Sequence, residues 1–306
     1  MHGSDHARKA IAGPSGLAIT ALLGGNAALA LGPMFVRMAD TSSHVGPIAA
    51  GMWRLALAVP LLLMMTRVAR QPIERLERGM FGMIALGGLF FAADLASWHV
   101  GILQTKLANA TLFGNATSLI FPIYGFLVAR AWPSRAQATA LCLAALGAVL
   151  LMGRSYELDP RNLAGDLFCL AAGILYTFYL ISIDRARATL KPWPVLTLST
   201  LAGILPLLGF AALAGERIWP ATWGPLLSLA LVSQVIGQGL MVYAIGHVRP
   251  LLVGLALLSQ PIIAAAIGWT LYGERLGRID LVGAVLIAVA IVLVRKPVVE
   301  GNTDAE

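Results

Sequence analysis

The 306 residues are 58% hydrophobic and only 12% charged, with a mean hydropathy of +0.80, whereas a soluble domain carries about 25% charged residues. There is too little polar surface to wet a globule, which excludes a secreted, nuclear or cytosolic protein. The net charge of +7 is scattered through short loops with no basic stripe and no interleaved aromatics, so no nucleic-acid partner is expected and the lipid bilayer is the surrounding medium.

One crossing needs about 20 mostly apolar residues, and apolar runs bounded by charge or proline follow one another along the chain. The predicted spans are Leu17 to Met38, Gly46 to Thr66, Gly79 to His99, Leu107 to Ala129, Ala136 to Met152, Ala164 to Ile183, Trp193 to Ala214, Trp223 to Gly246, Leu251 to Tyr272 and Leu281 to Val294. Backbone polar groups in lipid must be satisfied within the segment, so each is expected to be a helix. Arg8 and Lys9 followed by an apolar run ending Ala28-Leu29-Ala30 look like a secretory signal. The run continues to Met38 and further spans follow, so the first span is expected to be retained.

Orientation follows from the cations. The N-terminal tail and the even-numbered gaps between spans hold twice as many Lys and Arg as the odd-numbered gaps, and the positive-inside rule then puts both termini in the cytoplasm. Cys142 and Cys169 both lie inside apolar runs, where a disulfide framework has no meaning, and read as small packed hydrophobes.

The chain also repeats itself. Gly147-Ala148-Val149-Leu150-Leu151 follows Pro122 at nearly the spacing at which Gly283-Ala284-Val285-Leu286-Ile287 follows Pro261. Those prolines fall in spans 4 and 9, so the unit is five helices. An odd number of spans would place two copies in opposite orientation, as in many carriers.

Gln260-Pro261, Gly268-Trp269, Tyr272-Gly273-Glu274-Arg275-Leu276 and Gly283-Ala284-Val285-Leu286-Ile287 resemble the closing helices of the EamA repeat of the drug/metabolite transporter superfamily. Trp53-Arg54-Leu55 resembles the arginine-bearing segment of that family's second helix. The first copy departs from the pattern, with Arg130-Ala131-Trp132-Pro133-Ser134-Arg135 where Gly-Glu-Arg would be expected. The resemblance implies an all-α membrane protein of ten transmembrane helices, arranged as two inverted five-helix repeats around a central cavity. The repeats would span 17–152 and 164–294, with cytoplasmic tails at 1–16 and 295–306. It implies a multi-pass protein of the bacterial inner membrane that exports small metabolites, notably amino acids in the YddG exporter branch.

Embedded polar residues are the candidates for function. Arg54 and Asp94 are the two charges well inside spans, at similar depth on consecutive helices, and an ion pair between them is expected, as a structural lock or as a gate. Thr111, Asn115 and Ser118 share one helical face. Asn26, Tyr176, Tyr179, Gln234, Gln238 and Gln260 lie near mid-span. Such groups either bind substrate at the midplane or hold helices together. Amides and hydroxyls could pair with the ammonium and carboxylate of an amino acid. Pro122 and Pro261 each remove a helix hydrogen bond and are candidate hinges. Trp98, Trp193, Trp219 and Trp223 near span ends read as an interfacial aromatic belt.

No catalytic constellation, metal-ligand cluster or P-loop is present, so no enzyme, cofactor or ATP-driven pump is expected. Small multidrug members of the superfamily carry an embedded acid in the first helix, where this chain has Asn26. That points to transport without obligatory proton antiport, with a proton-coupled antiporter as the alternative through Asp94. A membrane enzyme or scaffold is the alternative of another class. The substrate, the coupling ion and the oligomeric state stay open, a monomer being sufficient.

Overall fold

The computed structural model describes residues 15–105, 107–130, 132–153 and 160–272, with isolated positions from 282 to 293. Proline and capping residues set the starts of several helices. Ser15 accepts from the Ala18 N–H at 3.2 Å and opens α1 (Gly16–Ala30), which continues through α2 (Gly32–Met38) into a π turn at Ala39–Ser43. Pro47 opens α3 (Pro47–Val68), Pro192 opens α9 (Pro192–Leu213) and Pro250 opens α12 (Pro250–Leu257). At the first helical position the missing N–H would be unpaired anyway. Between them run α4 (Arg78–Gln104), α5 (Leu107–Gly114), α6 (Thr117–Ala129), α7 (Arg135–Gly153) and α8 (Pro160–Arg187). Short α10 (Gly224–Ser228) leads through a π-wound stretch, Leu229–Gly237, to α11 (Gln238–Ile245), and α13 (Ser259–Tyr272) follows α12.

Among the described residues six helical stretches are long and apolar enough to cross a membrane: Gly16–Ser43, Pro47–Val68, Arg78–Gln104, Leu163–Arg187, Pro192–Leu213 and Gly224–Ile245. This overturns the expectation of ten transmembrane helices in two inverted five-helix repeats. The main reason is local. The predicted spans Leu107 to Ala129 and Leu251 to Tyr272 are each broken into two short helices, at Asn115–Ala116 and at Leu258. At the first break Ala116, Ser118 and Leu119 take tight i−3 carbonyls, and Leu258 does the same at the second. The first break lies a few residues before Pro122, whose ring crowds the carbonyl four residues back, and the second lies shortly before Pro261 in sequence. The run Ala136 to Met152 falls inside α7, while half of Leu281 to Val294 lies outside the described residues, as do Gly273-Glu274-Arg275-Leu276.

Helices α3, α4, α8 and α9 make the main body. Phe91, Leu95, Tyr179, Leu180, Leu55, Leu196 and Leu207 from these helices are almost fully buried in one core. Leu55 of α3 packs toward Gly203 of α9 and Leu207 of α9 toward Gly51 of α3, and Phe91 stacks on Tyr179 with ring centroids 4.4 Å apart. At one end of the bundle the loops 39–46 and 215–223 are laced together. The Gly46 N–H donates to the Arg217 carbonyl at 3.1 Å and Ala221 N–H to the Ser43 carbonyl at 2.8 Å. Glu216 accepts from the Ile48 and Ala49 N–H groups, at 3.2 and 2.8 Å, and so caps α3. Trp53 Nε1 donates to the Ile218 carbonyl at 2.7 Å, and its ring lies 5.4 Å from Trp219 and 4.9 Å from Trp223. Trp219 and Trp223 thus form a cluster with Trp53 rather than a belt alone. Cys169 is buried as expected; Cys142 instead is exposed on α7.

Candidate functional site: a polar cavity between helices

A cavity of about 50 Å³ lies inside the bundle, walled by Leu29, Arg54, Phe91, Asp94, Leu95, Trp98, Thr111, Gly114, Asn115, Tyr176, Gln238 and Gln260. A single water position needs about 10–15 Å³ by this kind of measure, so the space holds a few small groups. Phe91, Asp94, Leu95 and Trp98 stand at i, i+3, i+4 and i+7 on α4, the spacing of one helical face. Thr111, Gly114 and Asn115 supply a second face from the broken α5. The remaining walls come from α1, α3, α8, α11 and α13, so both halves of the chain contribute.

Arg54 is 2% exposed and Asp94 7%. The Arg54 Nε donates to Gln234 Oε1 at 3.1 Å, and its guanidinium carbon lies 5.8 Å from the Phe91 ring centroid. Gln234 in turn donates from Nε2 to Thr200 Oγ1 at 2.9 Å. The structure therefore brings Arg54 and Asp94 to the same cavity wall and gives the Arg54 hydrogen bond to Gln234. Gln234 is fully buried behind the wall.

Gln234 and Gln238, four residues apart, would share a face on an ordinary helix. Gln234 lies within the π-wound stretch Leu229–Gly237 and Gln238 opens α11, and the two side chains take different partners. Gln238 reaches the cavity and donates from Nε2 to the Tyr176 hydroxyl at 3.1 Å. Gln260 Nε2 donates to Asn26 Oδ1 at 2.8 Å, and Asn26 Nδ2 is held by the Leu22 carbonyl at 2.8 Å. Asn26 thus positions Gln260 from behind. Asn115 lines the cavity with its Nδ2 donating to the Thr111 carbonyl at 2.7 Å. Ser118 is buried but not on the wall, and Tyr179 is buried beneath Phe91. Pro122 lies within α6 and Pro261 within α13.

Trp98 is the residue that sequence reasoning misplaced: its indole walls the cavity instead of serving only as a belt residue. A Cβ on Gly114 would sit 2.8 Å from Trp98 Nε1, so only glycine lets α5 pass this ring. The i, i+3, i+4, i+7 stripe of Phe91, Asp94, Leu95 and Trp98 was the signal that could have found it. Among the described residues no group of three or more His, Cys, Asp or Glu could hold a metal ion.

The described residues thus combine six helical stretches long and apolar enough to cross a membrane with an internal polar cavity. Residues 163–296 match the EamA-like transporter family. The threonine/homoserine exporter RhtA of Escherichia coli K12 is 30% identical over 149 residues, 48% of this chain and 50% of its own length. The corresponding exporter of Salmonella typhimurium LT2 is 28% identical over the same length. The chain thus spans about half the length of these exporters. An uncharacterized transporter of Archaeoglobus fulgidus is 22% identical over 72% of this chain and 77% of its own. One crystal structure superposes with a TM-score of 0.70 at 17% identity, covering 90% of this chain and 97% of the other, which shows a shared fold.

Proposed function

We propose that this protein is a secondary carrier of the bacterial inner membrane that exports small amino acids, with both termini in the cytoplasm. The observation that carries the reading is the buried cavity whose polar wall, from Arg54 to Gln260, is drawn from both halves of the chain. A purely structural bundle gains nothing from lining an internal space with a guanidinium, a carboxylate and three amides, since each is costly to desolvate. Similarity to threonine/homoserine exporters over half the chain supports an amino-acid substrate. Access alternates as the helices rock about the cavity, with the broken α5–α6 and α12–α13 pairs and their prolines as the moving elements. Asn115, Thr111, Tyr176, Gln238 and Gln260 contact the substrate; Asn26 and Gln234 hold their neighbours in place.

The test is counterflow in liposomes: protein preloaded with unlabelled threonine should accumulate labelled threonine without an imposed pH gradient. A panel of amino acids that all fail to exchange would overturn the reading. Asp94 on the cavity wall favours one second reading, a proton-coupled antiporter. It predicts that transport requires a pH gradient and that Asp94→Asn abolishes that requirement.

A further inference from the structure

The cavity holds two opposite charges that do not satisfy each other. Arg54 uses Nε on Gln234 and one ring face on Phe91. Its terminal nitrogens make no hydrogen bond to a described residue, although a guanidinium offers five N–H donors in a planar fork. Asp94 lines the same space, 93% withdrawn from solvent on its 7% exposure. Among the described residues no hydrogen bond reaches its carboxylate and no nitrogen of Arg54 comes within salt-bridge distance. A buried carboxylate normally collects donors and a buried guanidinium normally collects acceptors. Here neither group's remaining hydrogen-bonding capacity is met among the described residues, while both face a space of a few small groups' size.

We propose that Arg54 and Asp94 form a clamp for the α-amino acid zwitterion, Arg54 taking the α-carboxylate and Asp94 the α-ammonium. The inference rests on the exporter reading and sharpens it, because it moves recognition from the neutral amides to the two charges. Gln234 is the positioning residue: by fixing Nε it aims the terminal fork away from itself and toward the cavity. Arg suits the first task because its fork matches the two carboxylate oxygens. The carriage of a net-neutral ligand also leaves the cavity's charge balance unchanged between empty and loaded forms.

The clamp makes a sharp demand on ligand chemistry. A molecule with only one of the two charges leaves the other protein charge buried and unpaired. Counterflow of labelled L-threonine by the full-length protein in liposomes is therefore competed with L-threonine, with L-threoninol, which lacks the carboxylate, and with N-acetyl-L-threonine, which lacks the ammonium. In the wild type both analogues should compete at least tenfold more weakly than threonine. In Arg54→Gln the preference for threonine over threoninol should shrink below threefold while N-acetylthreonine stays excluded, and Asp94→Asn should show the mirror pattern. Ligand-induced thermal shift of the purified variants reads the same ratios where exchange is slow. The wild-type panel decides the matter even if neither variant folds: threoninol or N-acetylthreonine competing as well as threonine overturns the clamp and leaves the exporter intact. A wild type that exchanges no amino acid overturns the exporter reading itself.

Discussion

The guanidinium of Arg54 reaches across 180 positions of sequence to Gln234, Nε to Oε1 at 3.1 Å, and this bond sets the direction of the buried cation on the cavity wall. Gln234 completes its own bonding through Thr200, so the amide cannot turn over without losing one partner. It sits within the π-wound stretch Leu229–Gly237.

Replacing Gln234 by leucine should therefore destabilise the protein as well as slow it. A hydrogen bond to a charged group contributes about 1.5–3 kcal/mol, and the leucine leaves both Arg54 Nε and Thr200 without their partner. Thermal unfolding of the purified protein should show a lower midpoint, with transport reduced in parallel. An unchanged midpoint would show that the Arg54 to Gln234 bond has no structural weight.

Asn115 should behave differently. It stands on the wall, and its Nδ2 bond goes to the Thr111 carbonyl within the same short helix, so little long-range packing depends on it. Asn115→Ala is expected to cut threonine exchange about tenfold, the loss of one to two hydrogen bonds to a ligand, while the amount of protein in the membrane holds. Wild-type exchange in this variant would remove Asn115 from the site.

Composition and hydropathy made the long helices legible, because an apolar run near 20 residues has one stable form in lipid. They could not show where a run stops being one helix. The breaks at Asn115–Ala116 and Leu258 replace standard bonds by i−3 bonds; Leu258 is as apolar and helix-compatible as its neighbours, and a single amide at Asn115 reads as an embedded polar group rather than as a break. The π winding at Leu229–Gly237 is equally silent in hydropathy, and of the two glutamines that simple periodicity put together, Gln238 lines the cavity and Gln234 does not. Asn115, Thr111, Tyr176, Gln238 and Gln260 were readable as embedded polar groups. Trp98 read first as a belt residue; its helical stripe with Phe91, Asp94 and Leu95 was legible, but its place on the wall also depends on the gap left by Gly114 on another helix.

Glu216 offers a test outside the membrane-spanning helices. Partial burial raises its carboxyl above the ordinary glutamate value, against the opposing pull of the Ala49 and Ile48 N–H groups it caps. A carboxyl whose folded value is raised contributes stability that is fully present below the unfolded pKa and is lost as pH rises through the folded one. The melting temperature should thus decline gently as pH climbs from the ordinary glutamate range through the raised value, and Glu216→Gln should flatten that part of the profile. Glu216→Ala, which deletes the cap of α3, should be less stable than Glu216→Gln by about 1 kcal/mol. Identical pH profiles for wild type and Glu216→Gln would show that another group controls this window.

The last expectation concerns the two broken helix pairs, which meet beside Pro122. A Cβ on Gly254 of α12 would lie 2.6 Å from Pro122 Cγ and 2.6 Å from the Ser118 carbonyl oxygen of α6. Real side chains do not approach so closely, so α6 and α12 pack at a distance that only glycine permits. Gly254→Ala must push the helices apart, and overpacking of this kind destabilises by about 1–3 kcal/mol. Pro122→Ala removes the ring that the new methyl would strike but leaves the Ser118 carbonyl in place. The double variant should consequently lose less stability than the sum of the singles, the non-additivity that marks residues in contact. Exchange should still fall at least tenfold in Gly254→Ala, because the carbonyl contact alone holds the two pairs out of register. Thermal midpoints of the three variants read the coupling and counterflow reads the movement. Strictly additive midpoints would place the contact between these helices elsewhere, and wild-type exchange in Gly254→Ala would show that α6 and α12 do not need this close approach to carry substrate.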